Sequence, residues 1–181
     1  KPEMMVALSE FWLLHGFQSK AALLNIIQKI PEFNFLEPVL NVAGYKGLYT
    51  TIMEMPQDRI DEILFPLIRK IMTGEIELSK DQSEFWIQNL YKKQIGDHID
   101  RGVFSIYFFN IVKVNPGEGV FQNAGIPHAY LEGQTMELMA NSDNVLRGGL
   151  TPKHVDIPEL IKHIAFEGIT PNIMQGTTIG E

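Results

Sequence analysis

The sequence predicts a mainly β fold, a small antiparallel barrel or double-sheet jelly roll, interrupted by a block of helices. Three observations predict it. From residue 106 to residue 140, short β-branched and aromatic runs alternate with turn chemistry at 115–119, 123–127 and 132–133. Between residues 19 and 91 the apolar residues instead recur at helical spacing, with no strand pattern among them. The predicted strands follow one another without helices between them, which favours a barrel or jelly roll over a parallel sheet.

Taken in order, Met4 to Leu8 is short and apolar, and reads as a strand that delivers Glu3. Ser9 is placed to cap a brief helix through Leu14, ended by Gly16. Leu23, Ile26, Ile27 and Ile30 form the apolar stripe of a first long helix, which Pro31 stops. A second helix is expected from Lys46 or Gly47 to Met55. A third carries the stripe Ile60, Ile63, Leu64, Leu67, Ile68, Ile71 and Met72, with a kink at Pro66 and Gly74 beyond its end. Ser79 opens a fourth, with Gln82 as capping-box partner, running towards Tyr91. These stripes, with Trp12 and Trp86, read as core and carry no chemistry.

Residues 96–102 read as an exposed return loop and residues 106–114 as a strand. Val120 to Gln122, His128 to Leu131 and Gln134 to Ala140 complete an antiparallel meander. Strand alternation puts His128 and Tyr130 on one face, and Thr135, Glu137 and Met139 together on one face of the next strand. Asp156 to Glu159 starts a helix with Pro near its first position, and the Gly, Thr and Pro-rich stretch after Gly168 reads as a linker.

A chain of 181 residues with 45% hydrophobic residues can bury a core, and its apolar runs are interrupted well short of the roughly 20 residues a spanning helix needs. A formal net charge of −7 argues against nucleic acid or an anionic membrane as main partner, but not against a small phosphorylated substrate met by a few local cations. The absence of cysteine excludes disulfides and thiolate zinc, leaving His, Glu, Asp and Gln as donors, and suits a cytoplasmic protein.

The stretch 110–153 holds too many regularly placed polar residues to be solvated surface alone. A single histidine such as His128 is more often structural than a ligand; a carboxylate at metal-binding spacing changes that balance. Pro116 to Glu118, Pro127 to Leu131, Glu137, Ser142 to Arg147 and Gly149 to Lys153, with Lys1 to Met4 at the start, together resemble the signature motifs of type I mannose-6-phosphate isomerases. That resemblance covers most of the chain. It implies a cupin-type jelly-roll barrel with an inserted helical domain, divided as 1–16 and 96–158 for the catalytic cupin domain, 17–95 for the insertion, and 159–181 leading towards a further domain.

The same resemblance implies one zinc ion, with Glu3 and His128 as ligands beside a Gln-x-His pair that the family carries upstream. Arg147, Lys1, Asp143 and Glu137 match active-site positions, and Lys153 and Tyr130 match residues that contact substrate. His15, His98, His154 and His163 match no ligand position. The chain is therefore expected to be the central part of a longer zinc-dependent isomerase that interconverts mannose 6-phosphate and fructose 6-phosphate. Alone it should hold little zinc, and the upstream segment is an expected partner. Competing classes are a non-catalytic sugar-binding or regulatory cupin module, and a cupin oxygenase or epimerase with a different metal or none.

Overall fold

The computed structural model describes residues 2–74, 78–92, 95–142 and 144–177. Two strands open the chain, β1 (Glu3–Ala7) and β2 (Phe11–Phe17). Helices α1 (Lys20–Lys29), α2 (Glu37–Met53), α3 (Gln57–Thr73), α4 (Ser83–Tyr91) and α5 (Val103–Phe108) follow, with a 3-10 turn at Pro31–Leu36. Strands β3 (Phe109–Val114), β4 (Gly119–Gln122), β5 (His128–Glu132) and β6 (Thr135–Met139), helix α6 (Ile157–His163) and the short β7 (Ile173–Met174) complete the order.

The strands form two antiparallel sheets, one in the order β6-β1-β4-β7 and one in the order β3-β2-β5. Among the described residues no ladder joins them, so of the two expected arrangements the strands form a pair of facing sheets and not a closed barrel. What couples them is side-chain packing: Met5, Ala7 and Val120 from one sheet meet Phe11, Leu13, Val112 and Val114 from the other in a common apolar cluster.

The brief helix expected over Ser9 to Leu14 is part of β2. All seven residues of β2 are buried. Its inner face joins the cluster between the sheets, while Trp12, Leu14 and Phe17 join the larger core formed with the helices. A strand buried on both faces shows a continuous apolar run rather than alternation, and that run was misread as helical. Gly16 (φ 64°) sits where the β2–β3 register shifts between Leu14 and Phe17. The Asn110 amide lies 3.0–3.2 Å from the carbonyls of His15, Gly16 and Phe17, satisfying backbone that the irregularity frees from the ladder.

The helices follow their stripes. Ser19 Oγ accepts from the Ala22 N–H at 3.2 Å and caps α1. Helix α2 starts earlier than expected, with Pro38 in its first turn; Gly44 (φ 63°) kinks it, and the part after the kink matches the expected second helix. Gln82 Oε1 accepts from the Ser79 N–H at 2.9 Å, but this contact shapes the turn before α4, which begins at Ser83. The strand expected from Ile106 begins only at Phe109, because Val103–Phe108 is a buried helix. A six-residue apolar run buried on every side carries no periodicity to separate the two states.

The helices thus cover the outer face of the three-stranded sheet. The outer face of the four-stranded sheet keeps Phe121, Met136 and Leu138 exposed. Among the described residues no helix is long and apolar enough to cross a membrane.

Candidate metal centre and active site

The space between the sheets is apolar at one end and polar at the other. Glu3, the first residue of β1, stands directly opposite Gln122 on β4. His128, the first residue of β5, stands opposite His15 on β2. Directly opposed residues in an antiparallel ladder project from the same face. Each sheet therefore contributes one polar pair to the shared space, and the two sheets meet where Glu3 Oε2 lies 3.0 Å from His128 Nε2. Two side chains 125 residues apart in sequence are brought well inside the separation of about 8 Å beyond which a shared metal would be excluded.

The other nitrogen of His128 fixes what this contact can be. Nδ1 is 2.9 Å from the Ile126 carbonyl oxygen, which only accepts, so Nδ1 carries the proton. In a neutral ring Nε2 is then an acceptor, and it faces a carboxylate oxygen that also accepts. Two acceptors this close require a proton or a metal ion between them. Metal-ligating histidines typically donate their second ring N–H to a carbonyl or carboxylate. Donors at about 2.0–2.1 Å from a tetrahedral zinc lie roughly 3.3 Å apart, so the pair fits two of its ligands. Among the described residues, no group of three His, Asp or Glu converges on one cation position.

Tyr130 faces the same space one strand period beyond His128. Its hydroxyl donates to Glu137 Oε1 at 2.6 Å and accepts from Gln122 Nε2 at 3.2 Å. Burial, and then the bond to Glu137, raise the tyrosine pKa above its ordinary value, so the phenol keeps its proton. Glu137 is thereby tied from β6 to Tyr130 on the facing sheet.

Two buried residues at this end escaped the sequence reading. Gln122 is fully buried and its Oε1 has no partner among the described residues. His15 is 4% exposed, and neither of its ring nitrogens has a partner among the described residues. Burial, and then the neighbouring His128, lower the His15 pKa to about 4, which keeps the ring neutral. A usable signal was present for Gln122, which alternates in phase with Val120 on an inward strand face. For His15 that signal was lost with the helical reading of β2.

A cleft of ≈ 1010 Å³ opens onto Glu3, His128, Tyr130 and Arg147. Arg147 lies in the loop after β6, held down by close backbone approach: at Gly149 (φ 122°) a Cβ would come within 2.8 Å of the Gly102 Cα. Lys153 is exposed and outside the cleft lining, although Thr151 two residues earlier belongs to it. Lys1 and Asp143 lie outside the described residues. The remaining histidines are elsewhere: His98 pairs with Asp61, His163 pairs with Glu159, and His154 is exposed.

Comparison with known proteins places these features among relatives. No protein-family model matches the chain. Mannose-6-phosphate isomerase of Escherichia coli K12 is 35% identical over 188 residues, which cover 95% of this chain and 43% of that protein. Mannose-6-phosphate isomerase 1 of Arabidopsis thaliana is 35% identical over 196 residues, covering 99% of this chain and 44% of its own length. Among solved structures, the zinc-bound mannose 6-phosphate isomerase matches with a TM-score of 0.75 at 33% identity, over 93% of this chain and 42% of that one. The Salmonella typhimurium enzyme bound to fructose 6-phosphate and zinc matches with a TM-score of 0.73 at 32% identity, over the same shares of each chain. The chain spans less than half the length of these relatives.

Proposed function

We propose that this chain, a part-length relative of the mannose-6-phosphate isomerases, supplies catalytic and metal-binding residues for interconverting mannose 6-phosphate and fructose 6-phosphate. The observation that carries the reading is the Glu3–His128 contact of 3.0 Å, with its fixed ring proton, opening on a cleft shared with Arg147. Glu3 and His128 would hold the zinc ion seen in relatives, which when bound supplies Lewis-acid polarisation of a sugar oxygen.

The reaction opens the sugar ring and moves a proton between C2 and C1 through a cis-enediol(ate). Charge develops on oxygen, and the Arg147 guanidinium would donate hydrogen bonds to it. Of the proton carriers expected from the sequence (Lys1, Glu137 and Asp143), Glu137 is the described one. Tyr130 occupies one of its oxygens and orients the other as an acceptor, as a base needs. Tyr130 itself would also contact substrate. Lys153 would meet the phosphate or an oxyanion at the mouth of the cleft. Residues 1–16 and 96–158 would form the site-bearing unit, 17–95 its helical insertion and 159–181 the way out towards a further domain, in a cytoplasmic enzyme.

A non-catalytic sugar-binding module is the second reading, favoured by the presence of only two converging His and Glu donors among the described residues. The deciding experiment measures zinc content and isomerase turnover, in a coupled assay for fructose 6-phosphate, on the protein that carries this chain. Joint loss of both in Glu3→Ala and His128→Ala supports the isomerase. Normal turnover in either variant removes the reading, and sugar binding without turnover in the parent protein selects the second.

A further inference from the structure

Asn110 is a polar residue near the start of β3 to which the proposed reaction gives no role. Four backbone carbonyl oxygens stand around its side-chain nitrogen: His15 at 3.0 Å, Phe17 at 3.1 Å, and Gly16 and Ile169 at 3.2 Å. Carbonyl oxygens accept and do not donate, so the NH2 end of the amide must be the one that faces them. Its two protons are shared among four acceptors from two separate segments of chain.

The strand register explains why an amide sits there. Leu14 pairs with Ile111 and Phe17 with Phe109, so His15 and Gly16 together face the single residue Asn110. Such a bulge frees backbone groups from the ladder, and the amide meets them. The fourth carbonyl belongs to the segment after α6, which runs beside β2: the Ile169 N–H donates to the Phe17 carbonyl at 2.9 Å, and Gly168 bridges Phe17 in parallel.

These same two segments hold the loop that leads into β5. The Gly16 N–H donates to the Pro127 carbonyl at 2.8 Å, and the Ala165 N–H donates to the Gly125 carbonyl at 2.9 Å. A Cβ at Gly16 would collide with the Ile169 side chain and come within 3.5 Å of Ile126 Cγ2, so both isoleucines close over the bulge glycine. The loop is thus gripped on either side of Ile126, whose carbonyl lies 2.9 Å from His128 Nδ1. His128 itself stands opposite His15 in the β2–β5 ladder.

We infer that Asn110 is a positioning residue for His128: by tying the β2 bulge to the 165–169 segment, its amide sets the Ile126 carbonyl and, through it, which ring nitrogen of His128 faces Glu3. Asn110 acts through Gly16 and Pro127 and adds no donor to the metal. The inference rests on the proposed reading of His128 as a site residue. Outer contacts of this kind fix the tautomer and orientation of a ligating ring.

The test follows the His128 Nδ1 proton by NMR in the full chain, isotope-labelled at its histidine nitrogens and free of metal. That proton is bonded to Ile126 whether Nε2 carries a second proton or meets a metal, so the readout does not depend on zinc. Asn110→Ala should speed its exchange with water by about 10-fold or more, because the loop opens locally. Gln18→Ala is the control for general loosening, since Gln18 Nε2 donates to the Tyr107 and Phe109 carbonyls at 2.8 and 3.1 Å; it should leave the exchange unchanged. Asn110→Ser keeps one hydroxyl donor, should fall between Asn110→Ala and the parent, and replaces the alanine variant should that one fail to fold. Parent-like exchange in Asn110→Ala, or equal acceleration in Gln18→Ala, overturns the inference. Zinc competition titration on the same samples tests the reading beneath it: affinity lower by about 10-fold in Asn110→Ala supports both. A parent that binds no zinc, with exchange still faster in the variant, removes the ligand reading and leaves Asn110 as the residue that orients His128.

Discussion

Two histidine–carboxylate contacts in this molecule look alike by distance and differ in everything around them. His98 Nδ1 lies 2.6 Å from Asp61 Oδ2, and His128 Nε2 lies 3.0 Å from Glu3 Oε2. Asp61 is fully supplied with donors: its Oδ1 also accepts from the Ile99 N–H at 2.7 Å and from Gln57 Nε2 at 2.9 Å. The His98 side chain is 67% exposed, so its other nitrogen reaches water. That contact is a staple joining the 96–102 turn to α3. Glu3 has no second donor among the described hydrogen bonds, and the His128 side chain, 26% exposed, has its other nitrogen committed to a carbonyl. The difference teaches that proximity of imidazole and carboxylate does not mark a site. What marks it is a pair whose remaining hydrogen bonds leave two acceptors facing each other.

The comparison breaks first on metal binding. Removing an outer partner of a metal site typically costs about 10–100-fold in affinity, and His128→Ala or Glu3→Ala removes a ligand outright, so each should lose more than that. Asp61→Asn should leave affinity unchanged. Competition titration against a chromophoric zinc chelator checks both, and equal effects at the two pairs would erase the distinction. Next in size is Arg147→Ala, which should lower kcat by roughly 10²-fold or more while zinc content stays at the parent level, since a charge contact made in the transition state acts on the barrier. Steady-state kinetics with metal analysis of the same sample decides it.

The staple should show the opposite profile. Asp61→Ala strips the donors of Ile99 and Gln57 of their acceptor, and leaving part-buried donors unpaired costs on the order of 1–3 kcal/mol. Urea unfolding should register that loss, with zinc affinity untouched. A stability change below a few tenths of a kcal/mol would mean that water replaces the carboxylate at no cost.

The helical layer was legible because its stripes are periodic and its breakers stand where the structure uses them: Pro31 follows α1, Gly74 follows α3 and Asp156 caps α6. Two elements were not, and for one reason. In β2 and α5 every residue is buried, so the polar half of the pattern that separates period 2 from period 3.6 is missing. The candidate site was legible mainly through the resemblance, which singled out Glu3, His128, Tyr130, Glu137 and Arg147. The structure puts Glu3, His128, Tyr130 and Arg147 on one cleft, with Glu137 bonded to Tyr130. Spacing alone could not join Glu3 to His128, because their contact depends on how the two sheets face each other. Gln122 and His15 were hidden for a further reason: a buried polar residue stands out only when its partners, or their absence, can be counted in space.

The smallest expected effect is a pH dependence that belongs to the staple. The hydrogen bond that His98 donates to Asp61, and then the charge of that carboxylate, raise the His98 pKa above its ordinary value. For Asp61 burial pushes the pKa up, but the bonds from the Ile99 N–H, His98 and Gln57 outweigh it and the net shift is downward. A base whose folded pKa is raised stabilises fully below its unfolded value, about 6.5, and loses that contribution as pH rises through the folded pKa. An acid whose folded pKa is lowered stabilises above its unfolded value, about 3.9, and loses that contribution as pH falls through the folded pKa. The pair therefore contributes most between about pH 4 and 6.5. The Tm advantage of the parent over His98→Asn should be largest in that window and shrink on either side. Because His98 is exposed, the advantage should also shrink with added salt. Chelator should not change it, whereas chelator should lower the Tm contribution of the His128 pair by removing a ligand of the folded state. A His98→Asn difference that is flat from pH 4 to 9, or that disappears with chelator, would show that the two pairs are not the separate devices their surroundings indicate.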